Sequence, residues 1–194
     1  MKYASIDIET TGLLKRTDNC LNCDILSFGC VLDDLKNPQP IKELPRYHCY
    51  FVNDIYKGEP YALSLHSEIF RRIAERSPSY NYIRPNRFGS VFKNFLIKHG
   101  YSAEHDRVTI NVAGKNFAVF DYPYLMEKTD INKHVLMRRR FLDPGILMLD
   151  FENDEAIPSM KECLMRIGID REVNHTAIDD AIDNILVIRN YFLG

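Results

Sequence analysis

The sequence predicts an α/β protein with a mixed β-sheet, because its predicted strands come early and its predicted helices alternate with a later strand. Short alternating or β-branched apolar runs indicate the strands, and apolar residues three or four positions apart indicate the helices. The 194 residues are enough to bury a core, and we expect a single domain over 1–194. We find neither an internal repeat nor a low-complexity tract.

The predicted elements follow one another through short connections. Strands are predicted at 2–8, 25–32, 46–52 and 107–112. Helices are predicted at 63–76, 88–99, 119–128, 158–167 and from about 176 to 192. Gly12 ends the first strand, Ser77 and Pro78 close the first helix, and Gly100 is the expected C-cap of the second.

Composition excludes some classes of function. The net charge of −2 gives no overall attraction for a polyanion, so nucleic-acid binding would need local basic patches or bound cations. No apolar run approaches the ~20 residues of a membrane span, and the start of the chain lacks the apolar segment of a secretory signal. The five cysteines are scattered and odd in number, which favours a reducing, cytoplasmic location.

Cys20 and Cys23 form a C-x-x-C pair. Structural zinc sites usually combine two such pairs, and this sequence has one. The redox version of the motif opens a helix after a strand, whereas this pair precedes a strand. We therefore expect no metal or redox role for it.

Two carboxylates interrupt the first predicted strand. Residues two apart on a strand point to the same face, so Asp7 and Glu9 project together while Ile6 and Ile8 face the other way. Two like charges side by side are costly in a half-buried setting unless a divalent cation lies between them. The alternative is an exposed edge strand whose acidic face is solvated.

Two further segments supply acidic residues. Asp121 lies in the apolar stretch 116–125, where a helix N-cap is the common use of an isolated aspartate. Asp179, Asp180 and Asp183 crowd the start of the last predicted helix, shortly after the loop residue His175. Acidic residues in a first helical turn also simply favour the helix dipole.

Taken together, the three segments resemble the DEDDh 3′→5′ exonucleases of the ribonuclease H-like superfamily. The order and separation of the motifs match that family over almost the whole chain. The resemblance rests on Asp7-Ile8-Glu9-Thr10-Thr11-Gly12, on Asn116 with Phe120-Asp121 and Leu125, and on His175-x-Ala177-x-x-Asp180.

The resemblance implies a ribonuclease H-like mixed sheet flanked by helices, and a metal site. The four metal-binding carboxylates would be Asp7, Glu9, Asp121 and Asp180, holding two Mg²⁺ or Mn²⁺ ions. Oxygen ligands suit such hard cations. The four carboxylates carry a formal −4, which two divalent ions neutralise so that a phosphate can approach.

The resemblance also implies a general base, His175, which would take a proton from the attacking water near neutral pH. The match requires the carboxylate five residues after this histidine, which selects Asp180 and not Asp179.

The resemblance also implies substrate contacts in the turn that follows the first motif. In the family this turn holds the terminal nucleotide, which here implies Thr10, Gly12 and Leu13 as substrate-binding residues. Asn116 is a further candidate, with three alternatives open: a contact to a phosphate, organisation of its loop, or packing.

The second motif departs from the family pattern. A small residue and a histidine often precede the asparagine, whereas Gly114 and Lys115 precede it here. This pair does not make a phosphate-binding P-loop, because the upstream glycine and the following Ser or Thr are missing.

Basic residues cluster between Arg71 and Lys98, where Glu75 is the single acid and Tyr80, Tyr82 and Phe88 are interleaved. Cations beside aromatic rings are typical of single-strand binding. The alternative is a solvated helix pair with a tyrosine-rich loop. The run 138–140 is a second basic segment, interpreted as a solvated strand edge.

These observations lead to one expectation and two rivals. We expect a metal-dependent 3′→5′ exonuclease that releases nucleoside 5′-monophosphates from single-stranded DNA or RNA 3′ ends. One rival is an endonuclease on the same fold. The other is a catalytically degenerate nucleic-acid-binding module, although all five expected active-site residues are present.

Overall fold

The computed structural model describes residues 1–13, 16–17, 20–171 and 176–194. The strands are β1 Lys2–Thr10, β2 Arg16–Thr17, β3 Cys20–Leu21, β4 Ile25–Asp34, β5 Arg46–Phe51, β6 Asn81–Ile83, β7 Ala103–Glu104, β8 Arg107–Ile110, β9 Val112–Ala113 and β10 Val135–Met137. The helices are α1 Pro60–Leu65, α2 Ser67–Glu75, α3 Pro85–Lys98, α4 Asp121–Lys128, α5 Ile131–His134, α6 Pro144–Leu147, α7 Met160–Arg166 and α8 Ala177–Leu193, with a 3₁₀ turn at Ile41–Glu43.

The main sheet has five strands in the order β6-β5-β4-β1-β9. β1 pairs antiparallel with β4, and β4 pairs antiparallel with β5. The outer pairs, β1 with β9 and β5 with β6, are parallel. A smaller sheet has the order β10-β8-β7. The predicted α/β class with a mixed sheet is confirmed.

The two faces of the main sheet are packed differently. On one face, Ile6, Ile8 and Phe28 are buried in the same core cluster as Phe88 and Phe92 of α3. The ring of Phe28 lies 4.7 Å from that of Phe88 and 5.0 Å from that of Phe92, both edge-on. The even-numbered residues of β1 are thus buried against α3, and its odd-numbered residues point to the opposite face of the sheet.

Helix α8 covers that opposite face. Ser5 donates a hydrogen bond to the carbonyl of Ala181 at 2.7 Å. A Cβ at Gly29, the residue paired with Asp7, would collide with the backbone carbonyl of Ala177. Glycine at this position therefore lets the start of α8 approach the sheet directly beside Asp7.

Two predicted elements are divided in the structure. The helix predicted at 63–76 becomes α1 and α2, which meet at His66, a buried residue with φ −96° and ψ 22°. The strand predicted at 107–112 becomes β8 and β9. The predicted strand is divided because its two halves pair with different strands: β8 pairs with β10, whereas β9 pairs with β1.

No helix in the described part of the chain is long and apolar enough to cross a membrane.

Candidate active site

Three carboxylates converge where β1 meets the first turn of α8. Asp7 and Glu9 project from one face of β1, and Asp180 reaches them from α8. One carboxylate oxygen from each of the three lies within 4.8 Å of the others. The face predicted for Asp7 and Glu9 is thus covered by a helix that adds a further carboxylate.

Asp121 lies against the same strand. It is the first residue of α4 and is 3 % exposed. Its Oδ1 accepts a hydrogen bond at 3.0 Å from the backbone N–H of Ile8, the residue between Asp7 and Glu9. Phe120 occupies the N-cap position of α4, so Asp121 does not cap this helix.

Burial and repulsion from neighbouring carboxylates raise the pKa of all four carboxyl groups, and for Asp180 the repelling neighbours are Asp183 and Asp179. Burial is the largest cause for Asp7, whose pKa is well above its ordinary value, followed by the charges of Asp121, Asp180 and Glu9. Burial, followed by the charges of Asp180 and Asp121, raises the pKa of Glu9 to about 9. The pKa values of Asp121 and Asp180 are raised to about 8 and about 7, again chiefly by burial.

The site fits a hard divalent cation. Its donors are carboxylate oxygens, the ligands that Mg²⁺ and Mn²⁺ prefer. The Oδ1 atom of Asp180 is buried and has no hydrogen-bond partner in the described part of the chain. A buried carboxylate oxygen without a partner is costly, and a cation ligated there would remove that cost.

Asp179 has a different position from Asp180. Its carboxylate accepts a hydrogen bond from the Thr176 hydroxyl at 2.7 Å, and its backbone N–H donates back to Thr176 at 3.3 Å. This is an N-cap arrangement at the start of α8. The structure therefore places Asp180 in the cluster and Asp179 at the helix cap. His175, the predicted base, lies outside the described residues.

The turn after β1 is held by hydrogen bonds and close packing. Thr10 donates to the carbonyl of Gly12 at 2.8 Å, and the Tyr124 hydroxyl donates to the same carbonyl at 2.9 Å. A Cβ on Gly12 would lie 2.7 Å from Cys23 Sγ, so a larger residue would force that side chain to shift. Leu13, at the end of this turn, is 63 % exposed.

A cavity of about 280 Å³ opens beside Glu9 and Leu13. Its walls also include Tyr61, His66 and Phe120. His66 Nε2 lies 3.4 Å from Glu9 Oε2, so this histidine contacts the carboxylate cluster directly. Sequence analysis missed His66 and Tyr61, because neither belongs to a motif and the fold alone brings α1 to the end of β1.

The backbone of Asn116 is fixed within the loop of the second motif. The residue has a left-handed backbone, with φ 56°, and its N–H donates to Asp143 Oδ2 at 2.9 Å. Its neighbour Lys115 donates its backbone N–H to Asn184 Oδ1 of α8 at 3.2 Å. A Cβ on Gly114 would lie 2.7 Å from the carbonyl oxygen of Ile6, so this glycine allows the loop to pack on β1.

The basic stretch between Arg71 and Lys98 is partly neutralised. Arg71 pairs with both Glu68 and Glu75, and Arg72 pairs with Glu68. Arg84 lies 3.4 Å from a carboxylate oxygen of Asp54.

Phe88 and three of the cysteines are buried. Phe88 is fully buried in the core, so it is no surface platform for a base. Cys23, Cys30 and Cys49 are buried free thiols.

The raised pKa values predict how the metal-free protein responds to pH. The folded state favours the protonated form of Glu9, Asp121 and Asp180, whose pKa values rise from 3.8–4.5 to between about 7 and 9. Their contribution to stability is therefore complete below about pH 4 and is lost as the pH rises through 7 to 9.

Urea unfolding in EDTA at pH 6, 7.5 and 9 measures this slope. We expect the free energy of unfolding to fall with pH, and added Mg²⁺ or Mn²⁺ to reduce the fall because cations bind the deprotonated groups. A free energy that rises across this window in EDTA would contradict the site's electrostatics.

The mixed sheet with its flanking helices is a fold that this chain shares with solved structures of nucleases, one of which is described as a DEDDh family member. No family model matches the chain, and no curated protein sequence matches it at a significant level.

Three solved structures illustrate the likeness. Cell-death related nuclease 4 (CRN-4) is 13 % identical with a TM-score of 0.63, over 97 % of this chain and 62 % of that one. A second structure is the Saccharomyces cerevisiae apo Pan2 pseudoubiquitin hydrolase–RNA exonuclease module in complex with AAGGA RNA. It is 14 % identical with a TM-score of 0.63, and the match covers 99 % of this chain and 29 % of that one. The nuclease domain of 3′hExo, a DEDDh family member bound to rAMP, is 14 % identical with a TM-score of 0.56. The match covers 97 % of this chain and 91 % of that one.

The chain thus spans less than two thirds of the first two of these proteins. At such low identity the likeness establishes the shared fold.

Proposed function

We propose that the chain is a metal-dependent 3′→5′ exonuclease that hydrolyses single-stranded DNA or RNA to nucleoside 5′-monophosphates. The observation that carries this proposal is the convergence of Asp7, Glu9 and Asp180, with Asp121 against the same strand, from three separate segments. The structural neighbours support it, because their names describe nucleases, one in complex with RNA and one bound to rAMP.

The four carboxylates would hold two Mg²⁺ or Mn²⁺ ions. When bound, such a pair activates water and stabilises the leaving oxygen in phosphodiester hydrolysis. Without cations the cluster would repel a phosphate, so Asp7, Glu9, Asp121 and Asp180 make substrate binding as well as chemistry depend on metal. In this proposal His175 takes the proton of the attacking water.

The turn and the cavity would bind the terminal nucleoside. Leu13 presents an exposed apolar side chain to the cavity beside Glu9, and the aromatic rings of Tyr61 and Phe120 line the same space. A cavity with mostly apolar walls and a few polar groups suits a nucleobase. The contact of His66 with Glu9 would fix the orientation of that carboxylate.

Cleavage of a closed circle separates this proposal from an endonuclease. We expect a linear single strand to be digested to mononucleotides in Mg²⁺, while a circular strand of the same sequence stays intact. Cutting the circle once beforehand should restore digestion, which controls for inhibitors in the circular preparation. Nicking of the intact circle would favour the endonuclease, and binding without digestion of either form would favour the degenerate module.

A further inference from the structure

Lys115 lies beside the carboxylate cluster, although no step of the proposed reaction uses it. β1 and β9 run parallel, with Ser5 paired to Ala113. Extending this register by two residues puts Lys115 level with Asp7. The extension agrees with the position of Gly114, where an added Cβ would lie 2.7 Å from the backbone of β1.

Helix α8 fixes the backbone of Lys115. The Oδ1 atom of Asn184 accepts the N–H of Lys115 at 3.2 Å. Asn184 is four residues beyond Asp180, so both side chains lie on the same face of α8. One face of this helix therefore positions a carboxylate of the cluster and the backbone of Lys115.

The ammonium group of Lys115 has no carboxylate partner in the described part of the chain. It donates to Asn116 Oδ1 at 3.5 Å, which is a long and weak hydrogen bond. A Cβ on Gly145 would lie 2.8 Å from both Cε and Nζ of Lys115, so glycine at this position leaves room for the side chain. Arg166 and Arg189, by contrast, are each paired with an aspartate.

The β4 side of β1 is covered at the level of the carboxylates. Gly29 of β4 is paired with Asp7, and a Cβ on it would lie 2.2 Å from the carbonyl oxygen of Ala177 in α8. Ser27 of β4 is paired with Glu9 and lines a cavity that α2 also lines. A nucleic-acid strand that crosses the carboxylates therefore meets α8 and α2 on this side.

The β9 side is formed by the loop that carries Lys115. Asn116, Ala118 and Val119 of this loop are exposed, and the exposed fraction of Val119 is 68 %. The loop ends at Phe120, which lines the cavity proposed for the terminal nucleoside. A strand whose terminal base occupies that cavity thus leaves the carboxylates over this loop.

We propose that Lys115 binds the phosphate immediately upstream of the cleaved linkage. The assignment rests on the proposed function for the position of that linkage. An ammonium group is a compact charge with three donors, and a contact to a phosphate does not depend on base sequence. The histidine that the family pattern often has at this position would be largely neutral above pH 7, whereas lysine stays charged.

Rates of release of the 3′-terminal nucleotide from two trinucleotides, in Mg²⁺ at pH 8, test this contact. One trinucleotide has ordinary phosphates, and the other has a neutral methylphosphonate at the linkage upstream of the cleaved one. Both are given to the parent protein and to Lys115→Gln, which removes the charge and keeps most of the length of the side chain.

Lys98→Gln is the matched control. Lys98 is the last residue of α3, close to Gly100, whose carbonyl accepts a hydrogen bond from Lys2 at the start of β1. The control therefore removes the same charge at the end of β1 that is remote from Glu9.

We expect the methylphosphonate to lower kcat/KM by on the order of tenfold in the parent and in Lys98→Gln, as the loss of one charged hydrogen bond does. Lys115→Gln should be slower than the parent on the phosphate substrate by a similar factor. In this variant the methylphosphonate should cause no further loss, because the charge that it removes no longer has a partner.

Equal sensitivity of the parent and of Lys115→Gln to the methylphosphonate would overturn the proposal. A parent that digests both trinucleotides at the same rate would overturn it even if Lys115→Gln failed to fold. Absence of hydrolysis by the parent would instead refute the proposed function. The dissociation constants of the same combinations in Mg²⁺ would then decide separately whether Lys115 contacts this phosphate.

Discussion

An Asp180→Asn variant is expected to lose all detectable hydrolysis while its metal-free form becomes more stable than the parent. Asparagine keeps the size of the side chain but removes a charged metal ligand. It also removes the repulsion that, with burial, raises the pKa of Asp180 to about 7. The gain in stability should therefore be largest above pH 7, where the parent carboxylate is ionised.

Thermal melts and hydrolysis assays on the same samples measure both effects. Divalent ions should raise the melting temperature of the parent and have little effect on the variant. Asp179→Asn is the matched control, because Asp179 is the adjacent aspartate and lies at the helix cap. Full activity in Asp180→Asn together with inactivity of Asp179→Asn would show that the third motif is misaligned.

A His175→Ala variant is expected to lower turnover by roughly 10²–10⁴-fold, the usual contribution of a general base. Metal binding should be nearly unchanged, because the four carboxylates are intact. The fall in rate on the acidic side of the pH profile should disappear along with the imidazole.

Turnover measured against pH at saturating Mg²⁺ decides this prediction. His66→Ala is an informative comparison, since His66 is a histidine in contact with Glu9. If His175→Ala kept the parent profile and His66→Ala lost its acidic limb, the base would be His66.

The sequence was sufficient to predict the fold class and the three carboxylates that the structure brings together at β1 and α8. The strand period places Asp7 and Glu9 on one face, and that face is where α8 delivers Asp180. Asp121 was assigned to the metal site through its family motif. Its local sequence alone would have been interpreted as a helix cap. Its contact with Ile8 depends on how α4 packs on the sheet.

Other features depend on tertiary contacts that have no local signal. The break at His66 interrupts a helical pattern that continues on both sides, so periodicity alone joined α1 to α2. Short strands such as β6 and β10 were not predicted, and each pairs in parallel with a strand that is distant in sequence. Composition alone could not show whether the basic residues of this segment are free or paired, and the structure shows that Arg71 is paired with Glu68 and Glu75.

The direction of digestion tests the proposed function most directly. A single strand labelled at its 5′ end and incubated with Mg²⁺ should give a ladder of progressively shorter labelled products, whereas a strand labelled at its 3′ end should release the label at once as a mononucleotide. The Asp180→Asn variant should give neither result. Immediate release of the 5′ label, with a ladder from the 3′-labelled strand, would contradict the proposed function.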